Sequence, residues 1–313
     1  MNIAFAGTWH VHFDGYAREF MNNPDCKITA IWSESEKEGK EAAATYNCAF
    51  EADYDKMLSR EDVDAIAVCT STKLHKEIII KAANAGKHIF TEKVLCFTEA
   101  DALKVSEAVK SNGVKFCISF PWRGRSDFKW VKNAVESGFI GQVNYCRMRN
   151  AHNGASSDWL PDTFYDKESC GGGAMMDLGA HSMYILNWLM GEPKNAASAF
   201  TNVKVKSVED NAVTVITYDN GAIGVSETAF VAENNPFEFE LVGSKGTILS
   251  GGFLDKLAYN IGDGWVFPSL PKPDASPVQL FVDGVVNGSD IPYTVDDAVA
   301  LSKIMEMAYS EII

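Results

Sequence analysis

The sequence predicts an α/β domain built on a doubly wound parallel sheet, followed by an α+β domain with a largely antiparallel sheet. Three observations carry this. The first 120 residues alternate short apolar runs with helical segments, the sign of strands joined by crossover helices. The first apolar run, Asn2 to Ala6, meets Gly7 at once and feeds a helical pattern. The second half strings strand-like runs together at short spacing, which implies antiparallel neighbours.

The chain has 313 residues. At about 150 residues per domain this suggests two domains, and the change of pattern puts the boundary near Phe120 to Ser126, giving domains at 1–120 and 121–313. Apolar residues make up 46% and charged residues 22%, enough for ordinary cores without disulfide or metal staples. The net charge of -14 argues against DNA or RNA as a main partner, since phosphate binding needs a basic surface. An anionic cofactor must then be held by local amides rather than by the overall field. None of the seven cysteines forms a CxxC pair, and several lie in apolar runs, as in Ala67-Val68-Cys69 and Phe116-Cys117-Ile118. Buried thiols in a reducing cytoplasm are the plain reading. The N-terminal run MNIAFAG lacks the features of a signal peptide, and no apolar run approaches the roughly 20 residues of a membrane helix.

In the first domain, strands are expected at Asn2 to Ala6, Lys27 to Trp32, Val63 to Cys69, His88 to Thr91 and Val114 to Phe120. Helices are expected around Val11 to Met21, at Glu36 to Tyr46, at Leu74 to Ala85 with Gly86 as its C-cap, and at Thr98 to Ser111. Right-handed crossovers place the loops beginning at Gly7, Ser33, Thr70 and Thr91 along one sheet edge, where ligands bind in such folds. In the second domain, helices are expected at Lys129 to Ser137 and Met175 to Met190. Strands are expected at 196–205, 211–218, 222–230, 236–242 and 246–250, with Asn220-Gly221 as a hairpin turn. Residues 251–292 read as loops and short strands, and Val295 to Ile313 as a closing helix.

A strand that ends in Gly and feeds a helix can hold a pyrophosphate on its free amides. The segment is Gly7-Thr8-Trp9-His10-Val11-His12, and Trp9 and His12 stand where two fingerprint glycines are expected. From this segment alone, a nucleotide loop and a generic strand-to-helix turn stand side by side. About 20 residues further on, an acid binding the adenosine ribose is expected. Ser33 and Glu34 fall there. Glu34 would repel a 2′-phosphate and no Arg is adjacent, which favours NAD over NADP. Equally, Glu34 reads as a solvated acid at a helix start.

The run Asp64-Ala65-Ile66-Ala67-Val68-Cys69-Thr70, then His75, then Ala85-Gly86-Lys87-His88-Ile89-Phe90-Thr91-Glu92-Lys93, resembles the glucose–fructose oxidoreductase / inositol dehydrogenase / rhizopine catabolism (Gfo/Idh/MocA) family, whose members carry Glu-Lys-Pro at this point. Gly171-Gly172-Gly173-Ala174-Met175-Met176-Asp177-Leu178-Gly179-Ala180-His181 matches its second hallmark, an Asp and a His four residues apart after a glycine run. Gly138-Phe139-Ile140-Gly141 also fits. The resemblance implies a Rossmann domain and an open-faced, mostly antiparallel second sheet. It implies that Thr70, Ser71 and His75 line the cofactor, that Glu92 and Lys93 sit near the nicotinamide ribose, and that Arg123 lies near the nicotinamide. It also implies a homodimer or homotetramer formed through the open sheet. Val94 replaces the motif's proline, and since a cis bond before a non-proline residue costs about 3 kcal/mol, the Lys93–Val94 peptide is expected to be trans.

Oxidising a secondary alcohol requires a base for the hydroxyl proton, and histidine titrates near neutral pH. His181 is assigned that role. Lys93 can hydrogen-bond the developing alkoxide. Asp177 stands four residues before His181, on one face of the expected helix, and can orient the substrate. Each residue taken alone reads as structural: a buried histidine, a helix-start carboxylate, a strand-end lysine. Their joint occurrence in family register assigns them to catalysis. Trp122, His152, Trp159 and Tyr165 are candidates for the sugar pocket, although aromatics in loops more often serve packing. His10, His12, His88 and His152 form no metal set by spacing, and His10 and His12 are expected to line the cofactor loop. The reading that follows is an NAD(P)-dependent dehydrogenase of a sugar, glycoside or polyol. Two alternatives stand beside it: a non-catalytic dinucleotide-binding regulator, and an enzyme that retains NAD and uses transient oxidation for elimination or hydrolysis.

Overall fold

The computed structural model describes residues 1–234 and 236–313. The chain forms two compact units, Met1–Phe120 with Ala275–Ser302, and Pro121–Asp274 with Lys303–Ile313. Ala275–Ser302, which the sequence reading gave to the second domain, thus belongs to the first. The reason lies in a helix at Pro277–Val286, read from the sequence as loop. Ser276 caps it and Pro277 opens it. Its Phe281 is fully buried against Phe20 and Phe90, with ring centroids 6.3 and 5.8 Å apart.

In the first unit, strands β1 (Asn2–Ala6), β2 (Lys27–Trp32), β3 (Ala49–Phe50), β4 (Ala65–Val68), β5 (His88–Thr91) and β6 (Phe116–Ile118) form a parallel sheet in the order β3-β2-β1-β4-β5-β6. Every residue of β4 is buried, as befits a central strand covered on both faces. Helices α1 (Phe13–Asn22), α2 (Glu36–Thr45), α3 (Tyr54–Leu58), α4 (Thr72–Asn84) and α5 (Glu99–Ser111) make the crossovers. Ser35, Asp53 and Thr98 cap α2, α3 and α5 through their side chains. The strand order reverses between β1 and β4, which puts the switch point beside Gly7 and Thr70. Gly7 has φ +90°, and a Cβ there would stand 2.6 Å from the Thr70 backbone nitrogen. Only glycine lets the two strand ends approach so closely.

In the second unit, α6 (Ser126–Glu136) precedes β7 (Val143–Ala151), then come β8 (Pro193–Thr201), β9 (Asn211–Tyr218), β10 (Ile223–Ala229), β11 (Phe237–Gly243), β12 (Thr247–Gly251) and β13 (Leu254–Asn260). They pair in the order β13-β12-β11-β7-β10-β9-β8. All neighbours are antiparallel except β7 with β10. The sequence reading had missed β7, the middle strand. Its signal is a period-2 alternation in which Cys146 and Met148 are buried while Arg147 and Arg149 face the other way. On that second face Arg147 and Arg149 pair with Glu227 and Glu238, and Val213, Val215 and Ile223 lie exposed.

Met175 to Met190, expected as one α-helix, is instead a wide π-helical turn at Met175–Gly179 followed by α-helix at Ala180–Met190. Side chains have entered the carbonyl ladder: Thr228 Oγ1 donates to the Ala174 carbonyl at 3.2 Å and Asn150 Nδ2 to the Leu178 carbonyl at 3.0 Å. Asp177 therefore sits on the wide turn and His181 on the α-helix. The simple i, i+4 face drawn from the sequence does not describe them.

Candidate active site

The ligand-binding edge of the first unit is built on the loop after β1. Thr8 Oγ1 lies 2.8 Å from Ser33 Oγ, so the loop and the end of β2 are tied by hydroxyls. Ser71 Oγ donates to Glu34 Oε1 at 3.2 Å, linking the two positions expected at the ribose. Burial pushes the Glu34 carboxyl up from its ordinary range, and the bond from Ser71 opposes it. Thr70 Oγ1 is buried at the end of β4 without a hydrogen-bond partner. Together with the tight Gly7 turn, this orphaned hydroxyl fits a polar ligand at the switch point, as a bound dinucleotide requires. Trp9 is half-buried and Val11 is 49% exposed. Several loop amides are already committed: Gly7 donates to the Trp32 carbonyl, His10 to that of Cys69, Phe13 to that of His10, and His12 to His10 Nδ1.

Glu92 is the hub of this edge. Its Oε1 lies 2.6 Å from His12 Nδ1 and 3.7 Å from His10 Nδ1, and accepts from the Tyr16 hydroxyl. Its Oε2 accepts the backbone N–H of Lys93 at 2.9 Å. Burial alone would raise this carboxyl. The charge of His10, the hydrogen bond and charge of His12 and the charge of Lys93 outweigh it and hold Glu92 well below the usual carboxylate range. The sequence showed no reason to join His10 and His12 to a residue on another strand, because the juxtaposition is made by sheet order.

Lys93 is 5% exposed, two residues past the end of β5. The Lys93–Val94 peptide is cis, which corrects the expected trans bond. The expectation weighed only the intrinsic preference of the amide. In the structure the Lys93 N–H is held by the side chain of the adjacent Glu92, and the Val94 carbonyl lies 2.9 Å from His75 Nδ1. The other His75 ring nitrogen lies 3.2 Å from the Thr70 carbonyl. His75 is thus a buried brace between two site segments, and burial holds its pKa below the ordinary histidine value against those carbonyls.

The second unit carries the remaining candidate residues, on the π turn and the helix that follows it. His181 is 8% exposed. Trp122 stacks on its ring at 5.0 Å and 21°. His181 Nδ1 lies 3.0 Å from the Tyr184 hydroxyl, which also accepts the Trp122 backbone N–H at 3.2 Å. Asp177 is partly exposed, and its own N–H donates to the Gly173 carbonyl at 3.0 Å. The Arg123 guanidinium lies over Trp188, 5.0 Å from the ring centroid. His152 stacks on Phe230 at 5.2 Å and 12°, with Trp159 4.6 Å away on a tilted plane. Phe230 belongs to a buried cluster with Ala155, Leu160 and Phe164, so His152 also takes part in packing. Trp159 remains 54% exposed.

Sequence reasoning missed Glu209, which positions the glycine run. Its buried Oε1 accepts the N–H groups of Gly173 and Met175 at 2.8 and 3.1 Å and the Tyr309 hydroxyl at 2.5 Å. A Cβ on Gly172 would stand 2.0 Å from the Tyr309 hydroxyl, and one on Gly173 2.0 Å from the Glu209 carbonyl. The glycines before Asp177 are therefore required by close packing. The acidic pair Glu209-Asp210 between two strand-like runs was the available signal.

Comparison with known proteins finds two matching family models. Residues 1–120 match the oxidoreductase family with an NAD-binding Rossmann fold, and residues 128–249 match the GFO/IDH/MocA C-terminal domain. The chain is 32% identical over 202 residues to a myo-inositol 2-dehydrogenase of Thermotoga maritima, a match covering 62% of this chain and 58% of that enzyme. It is 24% identical over 309 residues to an inositol 2-dehydrogenase of Rhizobium meliloti, covering 94% and 91%. In fold it is similar to a levoglucosan dehydrogenase solved with NADH and levoglucosan, with a TM-score of 0.83, 20% identity and coverage of 99% and 96%. An aldose-aldose oxidoreductase of Caulobacter crescentus gives a TM-score of 0.82 at 19% identity, with coverage of 99% and 96%. On its two matched domains and both motifs, the chain belongs to the Gfo/Idh/MocA oxidoreductase family, and its first domain is an NAD-binding Rossmann domain.

Proposed function

We propose that the protein is an NAD(P)-dependent oxidoreductase acting on a secondary alcohol of a sugar or polyol, with Lys93, Asp177 and His181 as its catalytic residues. The observation that carries the reading is the presence of all three in a chain whose two domains both match the family, with His181 held by Trp122 and Tyr184. The relatives named as inositol and levoglucosan dehydrogenases support the substrate class.

When bound, the nicotinamide supplies a hydride acceptor for the carbinol carbon. His181 takes the hydroxyl proton at the ring nitrogen opposite Tyr184, and Nδ1 stays engaged by the Tyr184 hydroxyl. Lys93 donates a hydrogen bond to the oxygen as negative charge develops there. Asp177 accepts from a neighbouring hydroxyl and fixes which carbon is presented. Gly7, Thr8, Trp9, His10, Val11, Ser33, Glu34, Thr70, Ser71, His75, Glu92 and Arg123 belong to the cofactor side of the proposal. Trp122, His152 and Trp159 belong to the sugar side. NAD is the preferred dinucleotide, because the Glu34 carboxylate would face a 2′-phosphate. The exposed sheet face with Val213, Val215 and Ile223 supports a homo-oligomer formed through that sheet. No helix among the described residues is long and apolar enough to cross a membrane, and the cysteines are free, which accords with a reducing cytoplasm.

The test is a thermal-shift and absorbance panel: NAD and NADP first, then inositols, anhydrosugars, aldoses and glycosides with the better dinucleotide. Stabilisation by NAD and NADH formation with at least one polyol or sugar are expected. NAD that stabilises the protein while no compound yields NADH would overturn the dehydrogenase reading.

A further inference from the structure

We propose that His10, His12 and Glu92 form a binding site for a divalent transition-metal ion of the zinc type. His10 and His12 make a His-x-His pair on the loop after β1, and Glu92 directly follows β5, with β4 between the two strands in the sheet. The two imidazole nitrogens and the carboxylate oxygen all lie within 4.8 Å of one another. A zinc ion with bonds of about 2.0–2.2 Å in tetrahedral geometry wants its ligand atoms about 3.3 Å apart. The observed 2.6 Å from His12 Nδ1 to Glu92 Oε1 must open slightly, and the 3.7 Å from His10 Nδ1 must close slightly.

Binding requires His10 Nδ1 to turn from the His12 N–H and His12 to give up the proton it shares with Glu92. His10 Nδ1 accepts the His12 backbone N–H at 3.2 Å, so this nitrogen carries a lone pair. Glu92 Oε1 is an acceptor for the Tyr16 hydroxyl and for His12. A proton shared between His12 and Glu92 occupies the place that a cation would take. The carboxylate is oriented from behind, by Tyr16, whose hydroxyl is also 2.8 Å from Ser119 Oγ, and by the Lys93 N–H on Oε2. Such outer partners are what a metal-ligating carboxylate needs. Glu92 and His10 are 1% and 7% exposed, and His12 is 49% exposed, so the cluster opens to solvent on the His12 side. That side gives an entry path and leaves a fourth position for water or a ligand oxygen. Two nitrogens and one oxygen suit Zn²⁺ or Co²⁺ and not Mg²⁺ or Ca²⁺, which require mostly oxygen ligands. The position also has a use. The amides of Gly7, His10 and Phe13 donate to backbone carbonyls, the loop contains no Lys or Arg, and the chain carries a net charge of -14. A bound cation would supply positive charge at the loop that otherwise faces an anionic ligand.

The test is calorimetric titration of Zn²⁺ into the metal-free full chain in the absence of dinucleotide, so its failure leaves the dehydrogenase reading standing. One equivalent is expected to bind, and His12→Ala and Glu92→Gln are each expected to weaken it by about tenfold or more. His88→Ala is expected to bind as the unaltered chain does. His12 is half exposed, so His12→Ala keeps the test valid if Glu92→Gln does not fold. Co²⁺ should give a spectrum without thiolate-to-metal charge transfer. No Zn²⁺ binding at about 100 µM, undiminished binding in His12→Ala, or a thiolate band would each overturn the proposal.

Discussion

The imidazole of His181 lies nearly parallel to the indole of Trp122, with ring centroids 5.0 Å apart. An indole face stabilises a positive charge placed over it. The same ring bonds the Tyr184 hydroxyl through Nδ1, and that hydroxyl is anchored by the Trp122 backbone. Trp122 and Tyr184 together therefore fix the ring plane and favour the imidazolium formed after proton transfer.

Trp122→Leu and Tyr184→Phe should each lower kcat by about tenfold, the size of a cation–π or hydrogen-bond loss of 1–2 kcal/mol. NAD affinity should not change. Steady-state kinetics on the best panel substrate, with separate NAD titration, checks this. Unchanged kcat in both variants would remove the proposed role of the pair.

Gly173 offers a stability test. Its N–H is held by Glu209 and its missing Cβ leaves room for the Glu209 carbonyl. Gly173→Ala should destabilise the second unit by about 1–3 kcal/mol through overpacking, seen as a lower thermal unfolding midpoint. A midpoint equal to that of the unaltered protein would show that the loop yields without penalty.

Glu34 should govern dinucleotide choice. Its carboxylate accepts from the Ser71 hydroxyl at 3.2 Å. Glu34→Ala should weaken NAD and narrow the preference over NADP, because the ribose partner and the repulsion of a 2′-phosphate vanish together. Binding constants for both dinucleotides measure this, and an unaltered ratio would place the adenosine ribose elsewhere.

His75 predicts a pH dependence. Its pKa in the folded protein is lowered, first by burial, while in the unfolded chain it is near 6.5. Below about pH 6.5 the unfolded state takes up a proton that the folded state does not. Stability from this group is thus complete above that pH and declines as pH falls through the window, by at most about 1.4 kcal/mol per pH unit. Chemical denaturation between pH 7 and pH 5 should show the decline, and His75→Gln should flatten it. An equal slope in the variant would assign the acid sensitivity to other groups.

The first unit was legible because a parallel sheet buries its strands on both faces. Ala65 to Val68 reads as an apolar run, and Gly7 marks the switch point. The second unit was less so. β7 carries two arginines on its outer face, which masked its alternation, and the helix at Pro277–Val286 lay in a segment rich in Gly, Pro and Asp. The site residues could be named from two motifs, yet their surroundings could not. The Glu92 cluster and the hold of Glu209 on the glycine run arise from contacts between residues far apart in sequence. The wide turn under Asp177 depends on Thr228 and Asn150, which no local pattern in residues 175–190 encodes. The Lys93–Val94 bond is cis against the intrinsic preference of the amide, which was all the sequence offered.

The central claim is that Lys93 acts on the reacting oxygen of a sugar or polyol. Single-turnover formation of NADH, followed by absorbance with saturating NAD and the best panel substrate, tests it in the unaltered protein and in Lys93→Met. Loss of the lysine should slow NADH formation by about 10²–10⁴-fold while NAD binding stays within a few-fold. An equal rate in Lys93→Met would contradict the account.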